Sequence, residues 1–114
     1  MKEVKAIIRP FLLSKVVEAL RQIDGLPGLT VDRDVRGFGR SPIGQDQDKI
    51  VDDLVEYIPK AKLEIVVPDE LVEKVVETIQ QNARTGNPGD GKIFIMAVED
   101  VMKIRTGQRG EQAL

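Results

Sequence analysis

Twice in 114 residues, a short apolar segment meets a proline and then a stretch with helical spacing. In the first case Val4 to Ile8 is closed by Pro10. Behind Ser14, the residues Val16, Val17, Leu20 and Ile23 then recur on one helical face. In the second case Lys62 to Val67 is closed by Pro68, and Asp69 precedes Leu71, Val72, Val75, Val76 and Ile79. A short apolar run bounded by proline reads as a strand, and the 3.6-residue recurrence after it reads as an amphipathic helix. Ser14 and Asp69 have the side chains of N-caps. Gly25-Leu-Pro-Gly28 stops the first helix, and Leu29 to Arg36 resumes as a strand. After the second helix comes Thr85 to Gly91, dense in turn residues, then a strand over Lys92 to Val98 and a polar tail from Ile104. Two strand-helix-strand units joined by a long connection predict an α+β, ferredoxin-like βαβ-βαβ domain over residues 1–114. Four antiparallel strands form one sheet, with both helices on one face. The face without helices carries Ile7 and Val66, so self-association is expected to cover it.

Composition removes many functions. The chain has no Cys and no His, which excludes disulfides, thiolate zinc sites, the Ser-His-Asp triad and imidazole acid-base chemistry. Aromatic residues are 4% and the net charge is −2, so neither a base-stacking sheet nor a basic surface for nucleic acid is expected. No apolar run approaches the roughly 18 residues of a membrane span. The start, Met1-Lys-Glu-Val4, lacks the pattern of a signal peptide. The expectation is a soluble, cytoplasmic chain without membrane insertion.

Three clusters carry possible chemistry. Thr85-Gly-Asn-Pro-Gly-Asp-Gly-Lys92 sets glycines and a lysine just before a strand. Backbone N–H groups of such a turn can approach phosphate oxygens, and Lys supplies a point charge. It is no Walker loop, because Ile93 and Phe94 follow the lysine; a plain turn between elements is the other reading. Gly37-Phe-Gly-Arg40 is a second, weaker cluster. Lys103-Ile-Arg-Thr106 is the third, with two cations on alternate residues of a segment read as extended, hence on one side. Convergence on one polyphosphate would account for all three.

The whole chain resembles the PII signal-transduction (nitrogen regulatory) proteins. The resemblance rests on six runs in order: Ala6-Ile-Ile-Arg-Pro-Phe11, Gly37-Phe-Gly-Arg40, Pro59-Lys-Ala-Lys-Leu-Glu-Ile-Val-Val67, Ala83-Arg-Thr-Gly86, Gly89-Asp-Gly-Lys-Ile-Phe94 and Ile104-Arg-Thr-Gly107. It implies a homotrimer that binds ATP or ADP in clefts between subunits, with Mg2+ accompanying ATP, and no catalytic residues. Phosphates would meet Gly89, Asp90, Gly91, Lys92 and Arg40, with Lys103 and Arg105 arriving from a neighbouring subunit. Adenine and ribose would lie near Ile7, Thr30, Gly37, Phe38, Val66 and Thr85, and Gly39 also belongs to the nucleotide site. The resemblance assigns a target-docking loop to residues 39–59, a phosphate-binding loop to 83–92 and a contact strip to 103–107. The target would be a transporter or a metabolic enzyme, in nitrogen regulation.

The chain also departs from that family. Ser41 stands where a Gln commonly helps hold Mg2+ with 2-oxoglutarate, while Lys60 keeps the effector's carboxylate partner. Lys103 replaces a common Arg, which keeps charge and loses bidentate geometry. Asp53 stands where many members have a modified tyrosine, so nucleotidylylation is not expected. Tyr57 reads as a packing residue. Asp46, Asp48, Asp52 and Asp53 make the loop acidic. One extra residue falls near residues 25–28 and one near 32–34. A sensor of another effector, bicarbonate or metal, and a weak nucleotide hydrolase are the alternative readings.

Overall fold

A computed structural model describes residues 1–39 and 57–114. In chain order these form β1 (Lys2–Ile8), α1 (Leu13–Arg21), β2 (Thr30–Gly37), β3 (Ile58–Val67), α2 (Val72–Ala83) and β4 (Gly91–Ala97). The sheet order is β2-β3-β1-β4, antiparallel throughout. This is the expected ferredoxin-like α+β arrangement. The two central strands are the two proline-ended runs of the sequence.

Alternation decides which side faces the core. In β1, Val4, Ala6 and Ile8 are buried while Lys2, Glu3, Lys5 and Ile7 are not. In β3, Ala61, Leu63, Ile65 and Val67 take the same side. Leu13, Val16 and Leu20 of α1 and Val72, Val75, Ile79 and Ala83 of α2 close on that side to complete one core. The opposite face is mixed rather than apolar. Glu3, Lys5, Lys62 and Glu64 sit among Ile7, Val66, Phe94 and Met96, and Lys5 lies 5.7 Å from the Phe94 ring centroid.

Both helix starts differ from the N-cap expectation. Each proline begins a 3-10 turn, Pro10–Leu12 before α1 and Asp69–Leu71 before α2. Leu12 donates its N–H to the Arg9 carbonyl, and Leu71 donates to that of Pro68. The turn already winds the chain, so Leu12 and Leu71 occupy the cap positions without a side-chain bond. Ser14 therefore lies inside α1. Asp69 instead accepts from the Met1 amine at 3.0 Å.

β2 carries a bulge between Asp32 and Val35, where the Asp34 N–H donates to the Asp32 carboxylate. It falls where the chain reads one residue longer than the family it resembles. An edge strand can absorb an insertion this way because one side of its ladder is unpaired. β3 starts at Ile58, so Pro59 and Lys60 are strand residues and not part of the preceding connection. The contact strip is not extended either. After β4 the Lys103 N–H donates to the Gln108 carbonyl, the Gly107 N–H to that of Lys103, and the Gly110 N–H to that of Val101. With the Met102–Arg109 bridge these bonds fold residues 101–110 into a small hairpin. A 3-10 turn over Glu111–Ala113 follows and buries Ala113, so this end is folded rather than a free tail.

Candidate functional site

The Thr85–Gly91 loop joins α2 to the edge strand β4, and one carboxylate organises it. The Asp90 side chain turns inward. It accepts from the N–H groups of Thr85 (2.8 Å) and Gly86 (2.9 Å), from the Thr85 hydroxyl, and from Arg9 Nε at 3.0 Å. Its carboxyl is held well below the usual carboxylate range, chiefly by the Thr85 hydroxyl and then by Arg9 and the two backbone donors. Asp90, named among the phosphate contacts by resemblance, is thus already engaged within its own loop.

Two cations grip the loop from the sheet. Arg9, just past the end of β1, also donates from Nη2 to the Pro88 carbonyl at 2.7 Å. Lys60, near the start of β3, donates from Nζ to the Gly89 carbonyl at 3.0 Å. Burial, with the Arg9 charge second, lowers the Lys60 pKa, while Asp90 pulls it back up. A lysine disfavoured in this way by desolvation and a neighbouring cation marks a place where an added anion is welcome. Lys92 is exposed beside it.

Glycine is required at one point above all. Gly91 has φ +108, and a Cβ there would stand 1.7 Å from the Ile7 carbonyl oxygen. The loop can rejoin the sheet beside β1 only without a side chain. Gly89, at φ +96, has Arg9 Nη2 3.2 Å from where its Cβ would be.

The remaining candidates separate into groups. Ile7 pairs in register with Lys92 on one side and Lys62 on the other, so all three share the face without helices at the loop's end of the sheet. Gly37 ends β2, and Phe38 and Gly39 follow it. Phe38 meets Tyr57 edge-on at 5.5 Å between ring centroids, which agrees with Tyr57 as a packing residue. Arg40, Ser41 and the acidic residues 46–53 lie outside the described residues.

Thr30 and Val66 are not with this group. Val66 pairs with Glu3, four residues along β1 from Ile7, a separation of about 13 Å at strand rise. With Pro27, Gly28, Leu29 and Glu64 they line a separate hollow of about 410 Å³. Lys103 and Arg105 stand on the C-terminal hairpin, and among the described residues neither side chain has a hydrogen bond or ion pair. One chain therefore assembles the loop with Arg9, Lys60 and Lys92, and holds Thr30 and Val66 elsewhere.

Arg9 is the residue that sequence reading passed over. It lies within the Ala6–Phe11 run, but a lone arginine after a strand has no spacing to single it out. Its partner is 81 positions away, and only the sheet brings them together.

Comparison with known proteins identifies the family. The family description "Nitrogen regulatory protein P-II" matches residues 1–108. The chain is 47% identical over all 114 residues to the nitrogen regulatory protein P-II of Rhodospirillum rubrum, covering both chains fully. It is 45% identical, again with full coverage of both, to nitrogen regulatory protein P-II 1 of Escherichia coli K12. Among solved structures, Arabidopsis thaliana PII bound to citrate superposes with a TM-score of 0.78 at 45% identity, over 99% of this chain and 91% of that one. The chain belongs to the nitrogen regulatory protein P-II family. It is a signal-transduction regulator of that class.

Proposed function

We propose that this regulator senses adenine nucleotides, taking ATP or ADP at the Asp90-organised loop. The observation that carries this is the loop itself. Its glycine-rich backbone is fixed from within by one carboxylate and from the sheet by Arg9 and Lys60, with Lys92 exposed beside it. A polyphosphate needs N–H donors and point charges that are placed before it arrives, because each donor ordered on binding costs affinity. Internal use of Asp90 also removes the carboxylate that would repel the phosphates.

The separation of Thr30 and Val66 from the loop supports a cleft completed by another copy. One chain would supply the phosphate loop with Ile7, Gly37, Phe38, Gly39 and Arg40. A neighbour would supply Thr30 and Val66, and Lys103 and Arg105 would cross the same boundary. A closed homotrimer provides three such clefts. The citrate carried by the Arabidopsis relative shows that this fold accommodates a small polyanion, which favours an anionic effector here too. Mg2+ would enter with ATP, and Ser41 with Lys60 would decide whether 2-oxoglutarate joins it.

The output is conformational and not catalytic. Signalling requires that ATP and ADP favour different states of the segment between β2 and β3, since equal affinity for both states shifts nothing. That segment would then engage or release a transporter or metabolic enzyme in nitrogen control. Among the described residues no helix is long and apolar enough to cross a membrane, which suits a cytoplasmic partner protein.

Calorimetric titration with ATP and ADP, each with Mg2+, tests the proposal. One nucleotide site per chain is expected. Tighter ATP binding with 2-oxoglutarate would assign nitrogen sensing to the site, and binding without that gain would assign energy sensing with another effector. No heat with either nucleotide would contradict the proposal.

A further inference from the structure

We propose that the Asp100–Arg109 pair is a clasp that positions Lys103 and Arg105 for the nucleotide phosphates. This inference rests on the nucleotide reading above and goes beyond it by naming two residues outside the contact set. The Asp100 carboxylate joins both feet of the C-terminal hairpin. One oxygen accepts from the N–H groups of Val101 (2.8 Å) and Gly110 (3.2 Å), at the two ends of the segment. The other accepts from Arg109 Nε at 2.7 Å and from Arg109 Nη2. Four donors from three residues meet one side chain.

The tip gives the reason such a clasp matters. Ile104, between the two cations, is 98% exposed, so its own chain leaves that side chain uncovered. Above the feet, the turn is held by the Lys103–Gln108 and Gly107–Lys103 backbone bonds and by the Thr106 hydroxyl, which accepts from the Gln108 N–H. Gly107 (φ +74) and Gly110 (φ +83) take the left-handed positions that turn the chain at the tip and at the second foot. The direction of Lys103 and Arg105 is therefore set where the hairpin leaves the body of the domain. The pair itself is exposed, 40% at Asp100 and 64% at Arg109, so its contribution to global stability is small. Orientation is the property it controls.

The test uses the full-length protein and the variants Asp100→Ala, Arg109→Ala and the two combined. ATP binding is measured by calorimetry, and adenosine binding is followed by NMR. Each single variant is expected to bind ATP about twofold to fivefold more weakly, the range of an exposed ion pair. Adenosine, which has no phosphate, should bind as to wild type. The double variant should be no weaker than either single one, because both remove the same clasp. Amide exchange at Lys103 and Gly107 should quicken in all three. Wild-type affinity for ATP in the single variants would overturn the proposal, as would parallel losses for ATP and adenosine or additive losses in the double variant. If the wild-type chain bound no ATP, the nucleotide reading itself would fall and the proposal with it. Faster exchange at unchanged ATP affinity would overturn the clasp alone.

Discussion

Two turns of this molecule are tied by the same device with different reach. In the Thr85–Gly91 loop, Asp90 gathers the N–H groups of Thr85 and Gly86 and the side chain of Arg9, 81 residues away. In the C-terminal hairpin, Asp100 gathers the N–H groups of Val101 and Gly110 and the side chain of Arg109, nine residues away. Each aspartate satisfies backbone donors that a tight turn leaves unpaired, and each arginine offsets the charge. The distant arginine ties its loop to the sheet, so loop geometry and fold stability are coupled. The local arginine ties a hairpin only to itself, so the hairpin can be loosened while the fold stays intact.

Substitution of the glycines separates the two turns most strongly. Gly91→Ala places a methyl 1.7 Å from the Ile7 carbonyl, at φ +108, so backbone must move. Denaturant unfolding should show a loss of about 3 kcal/mol or more. Gly107→Ala meets nothing within 4 Å and pays only for its φ of +74, about 1 kcal/mol. Equal losses at the two sites would remove the distinction between a sheet-coupled and a self-contained turn.

Asp90→Ala should come next. It strands Arg9 and the Thr85 and Gly86 N–H groups, and should lower the melting temperature visibly more than Asp100→Ala does. Thermal melts of the two variants side by side decide this, and a larger drop for Asp100→Ala would reverse the comparison.

Acid provides a gentler probe of the same bonds. Asp90 is held low by the Thr85 hydroxyl first, and Asp100 by Arg109 first. Asp69 is held low by its bond from the Met1 amine. A carboxyl depressed in the folded state contributes stability that is fully present above its unfolded value, near about 4. That contribution is lost as pH falls through the lower folded value. Melting temperature should therefore be flat with respect to these groups from about pH 7 to pH 5 and decline below about pH 4. Asp90→Asn should flatten that decline more than Asp100→Asn, and a wild-type chain that gains stability on acidification would contradict the assignment.

The sequence reached different depths in different places. The four strands and two helices were legible because alternation in β1 and β3 and the 3.6-residue recurrence in α1 and α2 are local patterns. The helix caps were misread because a proline-led turn does the work that Ser14 and Asp69 were expected to do. The Lys103–Thr106 segment looked extended because alternate cations fit a strand, while the bonds that fold it into a hairpin come from Asp100 and from the glycines beyond it. The Gly-rich loop and Lys92 stood out by composition. Arg9 did not, since no local pattern joins it to Asp90. Residues that the resemblance groups around one nucleotide, such as Ile7 and Val66, lie at opposite ends of the sheet, which only strand register reveals.

The central claim is that the Asp90-organised loop with its adjoining lysine is a phosphate site. ATP titration of Lys92→Ala beside wild type tests it most directly, because Lys92 is exposed and its removal should spare the fold. The account predicts a loss of affinity on the order of tenfold to a hundredfold with the melting temperature little changed. Undiminished ATP affinity in Lys92→Ala would contradict it and would move the nucleotide, if bound, away from this loop.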